Sequence, residues 1–189
     1  IGDEDFSLNL SSSTGFYQHA AGGVTPEGLS DALVSVMPDL AYDSYVTIGL
    51  DGPAMLDGES NAGIIPGQWS EDFENGGPVF IDDALGGGWY VVPSSPNALV
   101  GDDLRILVAQ LTTDGQISGS WRTQVFPNGD NINDDRVDMT FLNAICGCND
   151  EIAVNYDPMA NYFVEGSCEY DVYGCMDEMA CNYDEAVTA

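Results

Sequence analysis

The chain has 189 residues, of which 44% are hydrophobic, enough for one packed domain and a smaller appendage. It carries 32 acidic residues against three basic ones, Arg105, Arg122 and Arg136, for a net charge of −29. No surface of that sign can neutralise phosphates and release counterions, so nucleic acid is excluded as a partner, and docking on an anionic membrane is disfavoured. Nineteen aromatic residues spread along the chain argue against disorder, the other common meaning of heavy acidity. High salt and divalent cations suit such a surface, because both reduce its self-repulsion.

The first residue is Ile1, which reads as the start of a processed chain, and no long apolar run is present to enter a membrane. Asp5 to Leu10 alternates as a strand does and is either an edge strand of its own domain or a segment that completes a neighbour's sheet. Asn9-Leu10-Ser11 is an N-glycosylation acceptor, which makes Asn9 a candidate sugar site in a eukaryotic host. The segment around His19 reads as a strand. One helix is expected: Thr25 as N-cap, Pro26 at the first helical position, then Leu29, Leu33, Val36 and Met37 on one face until Pro38. Ser44 to Leu50 is β-branched and ends at the turn Asp51-Gly52-Pro53. Val79 to Asp82 and Trp89 to Val92 are short strand-like runs separated by Gly86-Gly87-Gly88.

The clearest hairpin signal runs from Leu104 to Thr112 and from Ile117 to Phe126, joined by Thr113-Asp114-Gly115-Gln116. In its second strand Ile117, Gly119, Trp121, Thr123 and Val125 share one face, as Val137, Met139 and Phe141 do in a final strand. Residues 1–145 therefore read as an all-β domain, a β-sandwich or flattened barrel with one short helix.

Residues 146–189 differ in kind. They hold all five cysteines, Cys146, Cys148, Cys168, Cys175 and Cys181, together with ten acidic residues and no basic one. Gly147 to Asp157 (GCNDEIAVNYD) aligns with Gly174 to Asp184 (GCMDEMACNYD) at an offset of 27 residues. Small disulfide-rich repeats in an oxidising compartment explain this pattern better than zinc, since the only imidazole, His19, is far away in sequence. The simplest connectivity joins Cys148 to Cys168, with Cys146 reaching Cys181 and Cys175 awaiting a partner beyond Ala189. The second copy lacks a counterpart of Gly166-Ser167-Cys168-Glu169-Tyr170, as a fragment of a longer protein would.

No constellation for catalysis emerges. His19 lacks a nucleophile and an orienting acid in its neighbourhood, and the glycine run has neither the spacing nor the Lys of a phosphate loop. The chain is accordingly expected to be no enzyme. Calcium is the candidate ligand, because it takes six to eight oxygens from a loop able to bend. The first candidate set is Asn128, Asp130, Asn133, Asp134 and Asp135 in the loop before the last strand; ordinary turn formation explains the same residues about equally well. The second is the repeated set Asp150, Asn155 and Asp157 with Asp177, Asn182 and Asp184, for which helix capping and turns are the competing explanation.

The stretch Gly174-Cys175-Met176-Asp177-Glu178-Met179-Ala180-Cys181-Asn182-Tyr183-Asp184 resembles the tandem repeat GCxDxxACNY, closed by DDGSC, of large secreted proteins of marine bacteria and microalgae. Gly166-Ser167-Cys168-Glu169-Tyr170 matches the closing segment, whereas Val154 departs from the pattern. Upstream, Tyr42 to Gly49, Gly88-Trp89-Tyr90 and Gln124 to Pro127 resemble a domain that accompanies such repeats. The resemblance implies an exported, cell-surface or matrix role and no reaction. Two functions follow as expectations. The first is an extracellular structural protein, a homo-oligomer or filament of identical subunits stabilised by disulfides and calcium. The second is a glycan-binding adhesion module using Trp69, Trp89, Trp121 or Tyr90 as stacking platforms.

Overall fold

A computed structural model describes residues 1–171 except Pro66, Asp83, Asp103, Asn131, Val164 and Glu165. The chain divides into two compact units, Ile1–Leu142 and Asn143–Ala189. Among the described residues it is β-rich with two short helices, and no helix there is long and apolar enough to cross a membrane.

The first unit is built on a four-stranded sheet in the order β4-β1-β7-β8. Its strands are β1 (Leu8–Ser12), β4 (Val79–Ile81), β7 (Ile117–Val125) and β8 (Asp135–Ala144). Two further pairs are β2 (Tyr45–Val46) with β6 (Ala109–Gln110) and β3 (Gly63–Ile65) with β5 (Gly88–Tyr90). Period-two alternation sets which side of each strand is buried. Leu8 and Leu10 of β1 and Val79 and Ile81 of β4 enter the core, while Phe80 between them stays half-exposed. Phe16, Val46, Trp69 and Phe73 complete the buried cluster, with Ile117, Trp121 and Phe141 packed at its margin. A Cβ on Gly119 would lie 2.7 Å from Leu10 and 2.8 Å from Phe141, so β7 needs glycine there for those side chains to meet.

β1 is a central strand, antiparallel to both β4 and β7. Both its edges are thus paired within the chain, which makes it neither an edge strand nor free to complete a neighbour's sheet. Asn9 lies within it, half-buried and opposite Phe80 and Ser120, not on a surface loop.

The expected hairpin does not form. Ala109–Gln110 pairs with β2, and Ile117 begins a strand paired with β1. The linking turn is drawn away by side chains: Thr113 Oγ1 donates to Gly15 O (2.6 Å) and accepts from Gly115 N (3.0 Å), while Ser13 Oγ accepts from Gln116 N (3.0 Å). Neither Asp114 nor Gly115 takes the positive φ that a two-residue hairpin turn requires.

The expected helix is shorter than its pattern. Pro26–Gly28 makes a single 3-10 turn, Thr25 caps nothing, and α1 (Asp31–Val36) starts from Ser30, whose Oγ accepts from Leu33 N at 3.4 Å. Gly28 and a second cap-forming pair, Ser30-Asp31, explain the later start. Leu29 packs with Leu40 and Tyr45, but Val36 is exposed. A second helix, α2 (Gln68–Glu74), is additional to the sequence reading. Its signal was present: Trp69 and Phe73 stand four apart on one face, between Gly67 and Gly76.

In the second unit β9 (Cys146–Gly147) runs parallel to β10 (Tyr162–Phe163), and an isolated bridge joins Cys148 to Tyr156. Cys148 is bonded to Cys168 across 20 residues, with Cα atoms 4.8 Å apart.

Candidate functional site

The loop between β7 and β8 gathers Asn128, Asp130, Asn133, Asp134 and Asp135 around an open depression of about 680 Å³, lined also by Pro127 and Ile132. Asn128 at φ 57° and Gly129 at φ 72° turn the chain, the left-handed conformation that Asn and Gly tolerate best. The carboxylates of Asp130 and Asp134 are already engaged. Asp130 accepts from Ile132 N (2.9 Å) and Asn133 Nδ2 (2.7 Å), and Asp134 Oδ2 accepts from Gln124 Nε2 (2.9 Å) and Arg136 Nε (2.8 Å). The Asn133 amide holds Asp130, and Arg136 holds Asp134, below the usual carboxylate range. The five residues lie around one depression; turn formation occupies the Asp130 oxygens, and Gln124 and Arg136 of the flanking strands occupy Asp134 Oδ2. Among the described residues, no group of three or more His, Cys, Asp or Glu side chains is disposed to hold a metal ion.

In the second unit the repeated polar residues act as fasteners around the disulfide. Asn155 grips both sides of Cys168, donating to Ser167 O (2.7 Å) and accepting from Glu169 N (2.9 Å). Val154 N adds a bond to Glu169 O at 2.8 Å. Asp150 accepts from Ile152 N (3.1 Å) through one oxygen and from the Tyr170 hydroxyl (2.8 Å) through the other. That carboxylate pushes the Tyr170 hydroxyl up from its ordinary pKa. Asp157 sends its own N–H to Cys148 O (2.8 Å) and accepts from Met159 N (2.8 Å). Each carboxylate thus closes a local turn. Cys175, Cys181, Asp177 and Asp184, and the side chain of Cys146 with its expected bridge, lie outside the described residues.

The aromatic platforms are mostly core. Trp69 is buried, its Nε1 donating to Ile65 O at 3.2 Å. Trp89 lies with its ring centroid 6.1 Å from that of Trp69, and its Nε1 donates to both Thr47 O and Val108 O at 3.0 Å. Trp121 meets Phe141 edge-on at 5.6 Å. Tyr90 alone of the four is half-exposed.

His19 lies in a loop, not in a strand; its Nδ1 accepts from Ala21 N at 3.1 Å. The residue that sequence reasoning missed beside it is Asp43, fully buried, accepting from His19 N (2.7 Å) and Gly23 N (3.2 Å). Any side chain at Gly22 would collide with this carboxylate. Burial pushes the Asp43 carboxyl up, against the lowering effect of the amides that donate to it. Its work is to anchor the loop before β2, and a lone buried Asp has no sequence signature. No family model matches the chain, and no curated protein and no solved structure matches it.

Proposed function

We propose that this protein is an extracellular structural protein, a subunit of a surface filament or matrix of identical subunits, closed by disulfides and neutralised by calcium. The observation that carries this reading is the unit closed by Cys148–Cys168, in which Asp150, Asn155 and Asp157 all serve as fasteners. Residues used for fastening in a repeated sequence suit a mechanical module made in an oxidising compartment. The likeness of the sequence to tandem cysteine repeats of secreted marine proteins supports the same reading, as does a β-rich first unit.

Calcium's part is to neutralise and bridge acidic surfaces, not to sit in one cage, given a charge of −29 and the engaged oxygens of Asp130 and Asp134. Glycan binding stands second, because three of its four candidate platforms are indoles packed in or against the core.

Negative-stain electron microscopy of native material, with and without a calcium chelator, tests the proposal. Filaments or sheets that fray under chelation support it in full. Assemblies indifferent to chelation but dissolved by reductant would remove calcium alone, and dispersed particles in every condition would overturn the structural reading.

A further inference from the structure

We propose that the exposed edge of β8 is an interface between two copies of this chain, paired antiparallel about a two-fold axis at Val137. The inference deepens the structural reading above, since it names a surface through which subunits would associate. Among the described residues β8 is the longest strand, ten residues without Pro or Gly, and it ends the sheet order. Among the described residues no strand lies on its outer side. The opposite edge of the sheet, β4, is only three residues long. Long, flat, unguarded edges offer a row of free N–H and C=O groups, and folded proteins usually blunt them with short length, Pro or inward-facing charge. β4 is guarded by its length, whereas β8 has only the charges of Asp135, Arg136 and Asp138 to guard it.

Side chains decide the partner. Cross-strand contacts run in opposite order along β7 and β8: Trp121 with Phe141, Arg122 with Asp138, Gln124 with Asp134. The two strands are therefore antiparallel, with Val137, Met139 and Phe141 on the core side and Asp134, Arg136 and Asp138 on the outer side. Val137 is 50% exposed and Met139 40%, although both face the core side of the sheet. On the outer side lie two of the three arginines, Arg136 bonded to Asp134 and Arg122 bidentate to Asp138. On a chain of net charge −29, this row is a place where a second acidic copy can approach without meeting only like charge.

A two-fold pair that continues the sheet keeps both core sides together, so residues of like parity face each other. Centred on Val137, the pair sets Arg136 opposite Asp138 of the second copy and Asp138 opposite its Arg136, with the valines in contact. Centring it on Arg136 or on Asp138 instead sets like charges across the axis. Opposite-charge and β-branched cross-strand pairs stabilise the first register, and like charges directly opposite oppose the others.

Charge exchange tests the register on the full chain, by sedimentation velocity in salt near physiological, where screening acts over about 8 Å. R136D places Asp opposite Asp, and D138R places Arg opposite Arg. Each alone is expected to sediment at the single mass where the wild-type chain sediments at twice that mass. An equimolar mixture of the two is expected to return to the double mass, because every cross-strand pair is again opposite in sign; misfolded variants could not rescue one another in this way. A mixture that stays single, a variant that pairs as the wild type does, or a wild-type chain single at every concentration overturns the interface. Filaments that form from R136D and D138R unchanged would overturn it while leaving the structural reading intact. A charge-sensitive pair alongside dispersed particles in the microscope would do the reverse.

Discussion

The two units are held together by different means. The first buries Leu8, Leu10, Val46, Phe73 and Val79 almost completely and behaves as an ordinary apolar core. In the second, the described hydrophobic residues below a tenth exposure are Cys148 and Ala153, while Ile152, Val154 and Met159 face solvent. A chain that short cannot offset its conformational entropy by burial alone. Among the described residues, what stands in place of a core is the Cys148–Cys168 bond and a set of side-chain-to-backbone hydrogen bonds. The contrast teaches why Asp150, Asn155 and Asp157 recur in the second copy while the aliphatic positions Ile152 and Val154 do not.

The comparison can be broken most strongly in the first unit. Phe73→Ala removes a ring packed edge-on at 5.8 Å against Phe16, and is expected to cost about 3–5 kcal/mol, read as a shift of the denaturant midpoint. Cys148→Ser is expected to cost about 3 kcal/mol, the chain-entropy value for a loop of this length, and hydrogen exchange should place the loss in residues 143–171 alone. Equal loss of protection in β1 and β7 would show that the units are not independently stabilised. Asn155→Ala should cost about 1 kcal/mol, because it removes two solvent-exposed hydrogen bonds, with the Glu169 amide and the Ser167 carbonyl, and the Cys148–Cys168 bond should become easier to reduce.

A smaller effect sharpens the contrast through pH. The pKa of buried Asp43 is raised above its ordinary value of 3.8, so folding favours its neutral form. Its contribution is fully present below the ordinary value and is lost as pH rises through the raised one. Asp130, Asp134 and Asp138 are lowered and act in the opposite sense: their contribution is present above the ordinary value and is lost as pH falls through the depressed ones. Asp43→Asn should therefore remove a fall in stability just above pH 3.8, seen in denaturation curves taken at successive pH values, and leave the steeper acid-side loss untouched.

What the sequence made legible follows the same division. β4, β7 and β8 were readable because apolar and polar residues alternate along each, although only β4 fully buries its apolar side, and Cys148–Cys168 because the two cysteines bracket a repeat. Strand partners were not readable. Thr113, Ser13 and Ser44 draw the segment before β7 toward residues 68 to 103 positions distant, where a local Asp-Gly signal promises a hairpin. The indoles misled for a related reason: Trp89 looks like a platform until its N–H is seen shared between two backbone carbonyls. At the candidate calcium loop the composition was legible, but the hydrogen bonds that occupy its oxygens depend on Gln124 and Arg136 from the flanking strands.

The most direct test of the structural, extracellular account is peptide mapping without reduction, on chain taken from its native source with thiols blocked at lysis. A peptide pair joined through Cys148 and Cys168 is the expected result. Recovery of both cysteines as blocked free thiols would contradict the account.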